Sequence, residues 1–121
     1  DRTKRISKGL KKLEHIARER CALLDHRKEE DFHEARKALK AWLGAVGFLP
    51  EALIPLDPVV HELAEFLGDE NDLATLSLWL KRHGFTPRFS PDLWKTLKRA
   101  RRKLQRKLIR DARKIRSGSK R

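Results

Sequence analysis

The sequence predicts an all-α protein, an antiparallel four-helix bundle, on three observations. Apolar residues recur at three- and four-residue spacing in four separate stretches. No run alternates β-branched with polar residues, Tyr and Met are absent, and Leu, Ala, Lys and Arg dominate. Short connectors join the stretches, which suits antiparallel neighbours. With 121 residues the chain can build one core without staples, hence one domain.

The first helix is expected over roughly residues 3–24, with Ile6, Leu10, Leu13, Ile16 or Ala17, Cys21 and Leu24 as its stripe. Lys8, Lys12, His15 and Glu19 fall on a neighbouring face. Asp25 to Lys28 form a loop. Glu29, Glu30 and Asp31 then stand where the dipole of a second helix, roughly 30–47, favours negative charge. Gly44 and Gly47 loosen its end, and Pro50 to Pro58 is a connector with three prolines.

The third helix is expected over roughly 57–83, capped by Asp57 with Pro58 in the first turn. Its apolar residues, from Val59 to Leu80, are wider than one stripe, which predicts the most buried helix. Gly68 to Asp72 either break it or continue it through a polar patch. Continuation is favoured because no proline intervenes. His83-Gly84 is the stop. Ser90-Pro91 opens the fourth helix, roughly 91–116, with Leu93, Leu97, Ala100, Leu104, Leu108, Ala112 and Ile115 as its stripe. Residues 117–121 are expected to fray.

The net charge is +13, unevenly placed. Residues 51–90 carry seven acidic and three basic residues, whereas residues 91–121 carry fourteen basic and two acidic ones. Such a field points to a polyanion: nucleic acid, polyphosphate or an acidic membrane surface. No apolar run approaches a membrane span, no signal-peptide layout opens the chain, and the single Cys21 excludes an internal disulfide. These features suit a cytoplasmic protein. The chain begins at Asp1 rather than Met, which suggests a piece of something longer.

The sharpest chemical signal is on the second helix. His33, Arg36, Lys37 and Lys40 share one face, each about a turn from the next, beside the stripe of Phe32, Ala35, Leu39, Trp42 or Leu43, and Val46. Such a row either snorkels as a solvated face or clamps phosphates through charge-assisted hydrogen bonds. Lys98, Arg101, Arg102 and Gln105 on the fourth helix offer a second wall, which favours anion binding. The acids Glu65, Asp69, Glu70 and Asp72 lack a calcium-loop pattern, so they are read as orienting arginines of the first or fourth helix, Asp69 and Asp72 included. No histidines are four apart, no phosphate loop or nucleophile elbow occurs, and Cys21 lies on an apolar stripe. No metal, cofactor or catalytic residue is expected. The basic run from Lys95 to Arg116 would grip a nucleic-acid backbone without reading bases.

Three segments resemble the CHAD family, the conserved histidine α-helical domain. Residues 32–40, Phe-His-Glu-Ala-Arg-Lys-Ala-Leu-Lys, look like its His-x-x-Arg-Lys-x-x-Lys signature. Leu67-Gly68-Asp69-Glu70-Asn71-Asp72-Leu73-Ala74-Thr75-Leu76 looks like its Leu-Gly-Asp-x-x-Asp-Leu-x-x-Leu segment. Gly9-Leu10-Lys11-Lys12 resembles the opening of the preceding helix. Ala38, Leu43 and Glu14 depart from the family pattern. The resemblance implies one half, the C-terminal-like half, of a two-bundle domain around a basic cavity for inorganic polyphosphate. The other half would lie upstream or come from a homodimer. It implies phosphate contacts at His33, Arg36, Lys37 and Lys40, with Lys8, Lys12, Lys98, Arg101 and Arg102 opposite. It also implies location at polyphosphate granules, or a neighbouring triphosphate-processing CYTH domain. The resulting expectation is non-enzymatic polyphosphate binding. The alternatives are non-specific nucleic-acid binding and docking onto an acidic protein.

Overall fold

Four helices pack side by side in the computed structural model, which describes residues 2–24, 28–48 and 58–118. They are α1 (Arg2–Ala22), α2 (Glu29–Gly47), α3 (Pro58–Arg82) and α4 (Pro91–Gly118). The protein is an all-α four-helix bundle, in which α1 packs on α2 and α4, and α3 packs on α2 and α4. Numbering falls along α4 as it rises along α3: Glu62 meets Lys107 and Glu70 meets Arg101. Cys21 and Leu24 likewise face Ala112 and Ile109, while Arg18, further back, reaches the Ile115 carbonyl. Both pairs are therefore antiparallel.

The helix ends follow from their residues. The first turn of α2 holds Glu29, Glu30 and Asp31, where unpaired N–H groups favour negative charge. Helix α3 runs unbroken through Gly68–Asp72. It stops where Gly84 takes φ +86° and the Phe85 N–H returns to the Leu80 carbonyl at 2.9 Å, a conformation that favours glycine. Helix α4 runs two residues further than periodicity suggests, so Ser117 and Gly118 are helical rather than frayed, while residues 119–121 lie outside the described residues. The Asp57 cap and the loop at 25–27 lie outside the described residues.

The core combines Phe32, Ala35, Leu39, Trp42 and Val46 of α2 with Val60, Leu63 and Leu67 of α3 and Leu108, Ala112 and Ile115 of α4. Among the described residues, α1 contributes Ala17 and Cys21 in full, and Leu24 joins them just past its end. The reason is stagger. Arg18 stacks over the Trp42 ring at 5.6 Å and bonds the Ile115 carbonyl near the far end of α4. The N-terminal half of α1 therefore runs past the bundle, and Lys4 to Gly9 are exposed. The wide apolar set of α3 is not all buried either, since Leu76, Leu78 and Trp79 keep 42%, 55% and 50% exposure. On α4, Ala100 and Leu93 face solvent instead of joining the stripe, and Gln105 and Asp111 are buried in it.

Leu63 is wholly buried, so Leu63→Ala should lower unfolding free energy by about 3 kcal/mol, through lost transfer energy and a residual cavity. Leu78→Ala, at a half-exposed site, should cost less than about 1 kcal/mol. Urea denaturation with an unchanged m-value checks both.

Candidate anion-binding site

One buried ion pair organises the end of the bundle where α2 begins. Glu70 is 3% exposed, on the same phase of α3 as Leu63 and Leu67. A bare carboxylate there would be costly, and three donors compensate it. The Arg101 guanidinium donates to it through Nη2 at 3.0 Å and Nε at 3.4 Å, and the Gln105 amide donates at 3.3 Å. Glu29 of α2 takes the remaining Arg101 nitrogen at 3.3 Å. Burial alone would weaken the Arg101 charge, but hydrogen bonds and Coulomb attraction from Glu70 and then Glu29 outweigh it and raise its pKa. One arginine thus ties three helices together.

Two hollows flank this pair, and Glu29 and Arg101 line both. The larger, about 690 Å³, runs along α4 and is lined by Trp94, Lys95, Leu97, Lys98, Arg102 and Gln105, with Pro87, Pro91 and Ser77. It lies on the flank of α4 that α1 covers only from Ile109 onward, because α1 ends opposite that point. Among the described residues, Lys95, Lys98 and Arg102 have no carboxylate partner. Among the described residues Glu29 is the one acid on the lining, and it is bound to Arg101. The smaller hollow, about 320 Å³, lies between α2 and α3, where His33 faces Asn71, Thr75 and Leu78.

The structure therefore brings some of the expected residues together and separates others. Lys98 and Arg102 share the α4 cleft, and His33 borders the adjoining hollow. Arg36 is half-buried and Lys40 exposed further along α2, while Lys37 is exposed and 3.9 Å from Glu34. Arg101 is present but engaged by two acids, so it is a structural cation rather than an open contact. Lys8 and Lys12 do not join the site. Since Arg18 meets Ile115, Lys12 stands about 30 Å along the axis from Arg102, at a rise of ~1.5 Å per residue on each helix. Asp69 and Asp72 are exposed and orient no arginine among the described residues; the neighbouring Glu70 does so, because it shares the buried phase of α3. Lys95 was absent from the expected set, although it sits three residues before Lys98 and seven before Arg102 on the same face.

No protein-family model, curated protein or solved structure matches the chain. The CHAD resemblance thus rests on its three short segments. Among the described residues, no cluster of His, Cys, Asp or Glu is placed to hold a metal ion, and no helix is long and apolar enough to cross a membrane. Cys21 is 2% exposed, and burial pushes its thiol up to about 12 against the opposing charge of Arg18. Such a thiol is a poor nucleophile near neutral pH.

Glu70→Leu leaves Arg101 without its buried partner and should destabilise the fold by about 3 kcal/mol. The double variant Glu70→Leu/Arg101→Leu should cost clearly less than the sum of the two single changes, measured by a double-mutant cycle in urea. Cys21 predicts a pH dependence. The folded protein keeps its thiol proton up to about 12, whereas the unfolded chain loses it above the ordinary value of 9.0. Stability present below pH 9 is therefore lost as pH rises from there, by up to ~1.4 kcal/mol per unit from this group. Cys21→Ala should fall less steeply than wild type over pH 9 to 10.5.

Proposed function

We propose that this protein binds inorganic polyphosphate, without catalysis, along the basic cleft of α4. The observation that carries this reading is the row of Lys95, Lys98 and Arg102, which meet no carboxylate among the described residues beside a cleft whose one acid is already bound. Cations at i, i+3 and i+7 repel one another and are stabilised by a linear anion that passes from one to the next. The cleft follows α4 from Trp94 to Gln105, about 16 Å at ~1.5 Å per residue. Past the Glu29–Arg101 bridge the adjoining hollow carries Glu29, Glu30 and Glu70 beside His33, so the basic row of this proposal is that of α4, with Arg36 and Lys40 lying further along α2. The CHAD resemblance of the α2 and α3 segments supports polyphosphate over other polyanions, and with it a cytoplasmic location at polyphosphate stores.

A second reading has its own observation. Arg99, Lys103, Arg106 and Arg110 are exposed on the outer face of α4 without acidic partners among the described residues, which suits a nucleic-acid backbone.

Binding of labelled long-chain polyphosphate, followed by anisotropy over a salt series, tests the proposal. Lys98→Glu/Arg102→Glu should weaken binding by roughly a hundredfold, at ~1.4 kcal/mol or more per lost charged contact. Its salt slope should flatten by about 0.7 for each lost contact, the value for single strands. Lys103→Glu/Arg110→Glu should change affinity by less than about fivefold, since neither residue stands three or four positions from Lys95, Lys98 or Arg102. Equal losses in the two variants, or displacement by duplex DNA at matched phosphate, would replace the cleft with a merely basic surface.

A further inference from the structure

The outer faces of α3 and α4 form one surface, since the two helices are antiparallel neighbours. Its halves carry opposite charge. On α3, Glu65, Asp69 and Asp72 are exposed on one stripe and have no cationic partner among the described residues. On α4, Arg99, Lys103, Arg106 and Arg110 form a second exposed stripe with no acidic partner among them. Towards the Gly84 turn the surface carries exposed apolar residues: Leu76, Trp79 and Leu93 are 42%, 50% and 43% exposed. Unpaired acid, unpaired base and apolar area on one face make it self-complementary.

We propose that this face joins two copies of the chain in a symmetric dimer, the acidic stripe of each copy lying on the basic stripe of the other. The register supports one geometry. Glu62 meets Lys107 and Glu70 meets Arg101, so Glu65, Asp69 and Asp72 stand level with the segment from Arg99 to Arg106. A twofold axis parallel to the helices preserves these levels while exchanging α3 for α4. It sets Asp69 and Asp72 against Arg99 and Lys103 of the second copy, and it brings the Leu76–Trp79–Leu93 patches together. A twofold axis across the helices would instead lay α3 on α3, acid on acid. The +13 charge of each copy opposes association. At ~0.15 M salt that long-range repulsion is screened beyond about 8 Å, while pairs in contact across the interface are screened less. The polyphosphate-binding cleft occupies the other flank of α4 and takes no part in the proposal.

Sedimentation over a concentration series, without polyanion present, tests it with three proteins. Wild type should form a dimer. Asp69→Lys/Asp72→Lys and Arg99→Glu/Lys103→Glu, each alone, should raise the dimer dissociation constant roughly a hundredfold or more, since every reversed contact occurs twice and becomes repulsive. All four substitutions are on exposed residues, so thermal unfolding monitored by circular dichroism should be unchanged within a few degrees. An equimolar mixture of the two variants should recover a heterodimer, because lysines then face glutamates at one set of contacts and the native pairs remain at the other. Monomeric wild type overturns the proposal, as do open-ended oligomers or a mixture that stays monomeric. If wild type is monomeric and the α4 variant loses duplex DNA binding, the basic stripe is a nucleic-acid surface instead.

Discussion

The buried pair of Arg101 and Glu70 is the constraint on which the basic end of this bundle depends. Removing a carboxylate from water costs several kcal/mol unless its oxygens are met by donors, and here two guanidinium nitrogens and an amide meet them. That requirement fixes α3 against α4 at one level. Glu29, in the first turn of α2, extends the constraint to a third helix, at a position where the helix dipole already favours an acid. Helix α1 has no part in it. Held instead by Arg18 to Trp42 and to the Ile115 carbonyl, α1 lies displaced towards the opposite end, and the flank of α4 before Ile109 is left as a cleft.

This arrangement decides which cations can serve a ligand. Arg101 points inward and is matched by two carboxylates, so an incoming anion would have to displace Glu29 to reach it. Lys95, Lys98 and Arg102 carry their charges on the cleft wall without such a cost. The pair thus supports the cleft while contributing little net charge to it.

The four helices and the continuity of α3 were legible from periodicity, because helical spacing is a property of the single chain. The Gly84 stop was legible for the same reason: a local backbone conformation demands it. Register between helices was not legible. Nothing in the residues of α1 alone says that Arg18 stands level with Ile115, and so Lys8 and Lys12 were placed opposite cations that lie far along the axis. The choice of Glu70 over Asp69 and Asp72 was closer to hand. Leu63, Leu67, Glu70 and Ser77 share one phase and all four are buried, so the stripe continues through polar residues that a count of apolar ones passes over. Gln105 and Asp111 escaped in the same way on α4.

Helix α4 carries more like charge than an isolated helix tolerates, each same-sign neighbour at i+3 or i+4 costing a few tenths of a kcal/mol. Inside the bundle the charges separate by face. Lys107 lies over the Phe66 ring at 4.7 Å with Glu62 and Asp111 beside it, so the flank facing α3 is neutralised internally. The cleft flank and the outer face have no such relief among the described residues. They differ in what stands next to them. The cleft is a wall of cations, complementary to a chain of phosphates, whereas the outer face runs beside acids, Leu76 and Trp79 on α3, complementary to itself. About a quarter-turn of helix separates residues 98 and 102 from residues 99 and 103. The two surfaces are therefore distinct but electrostatically coupled: Arg99 and Arg106 stand four residues from Lys95 and Arg102, and a polyanion in the cleft would lower the net positive charge that resists pairing of two copies.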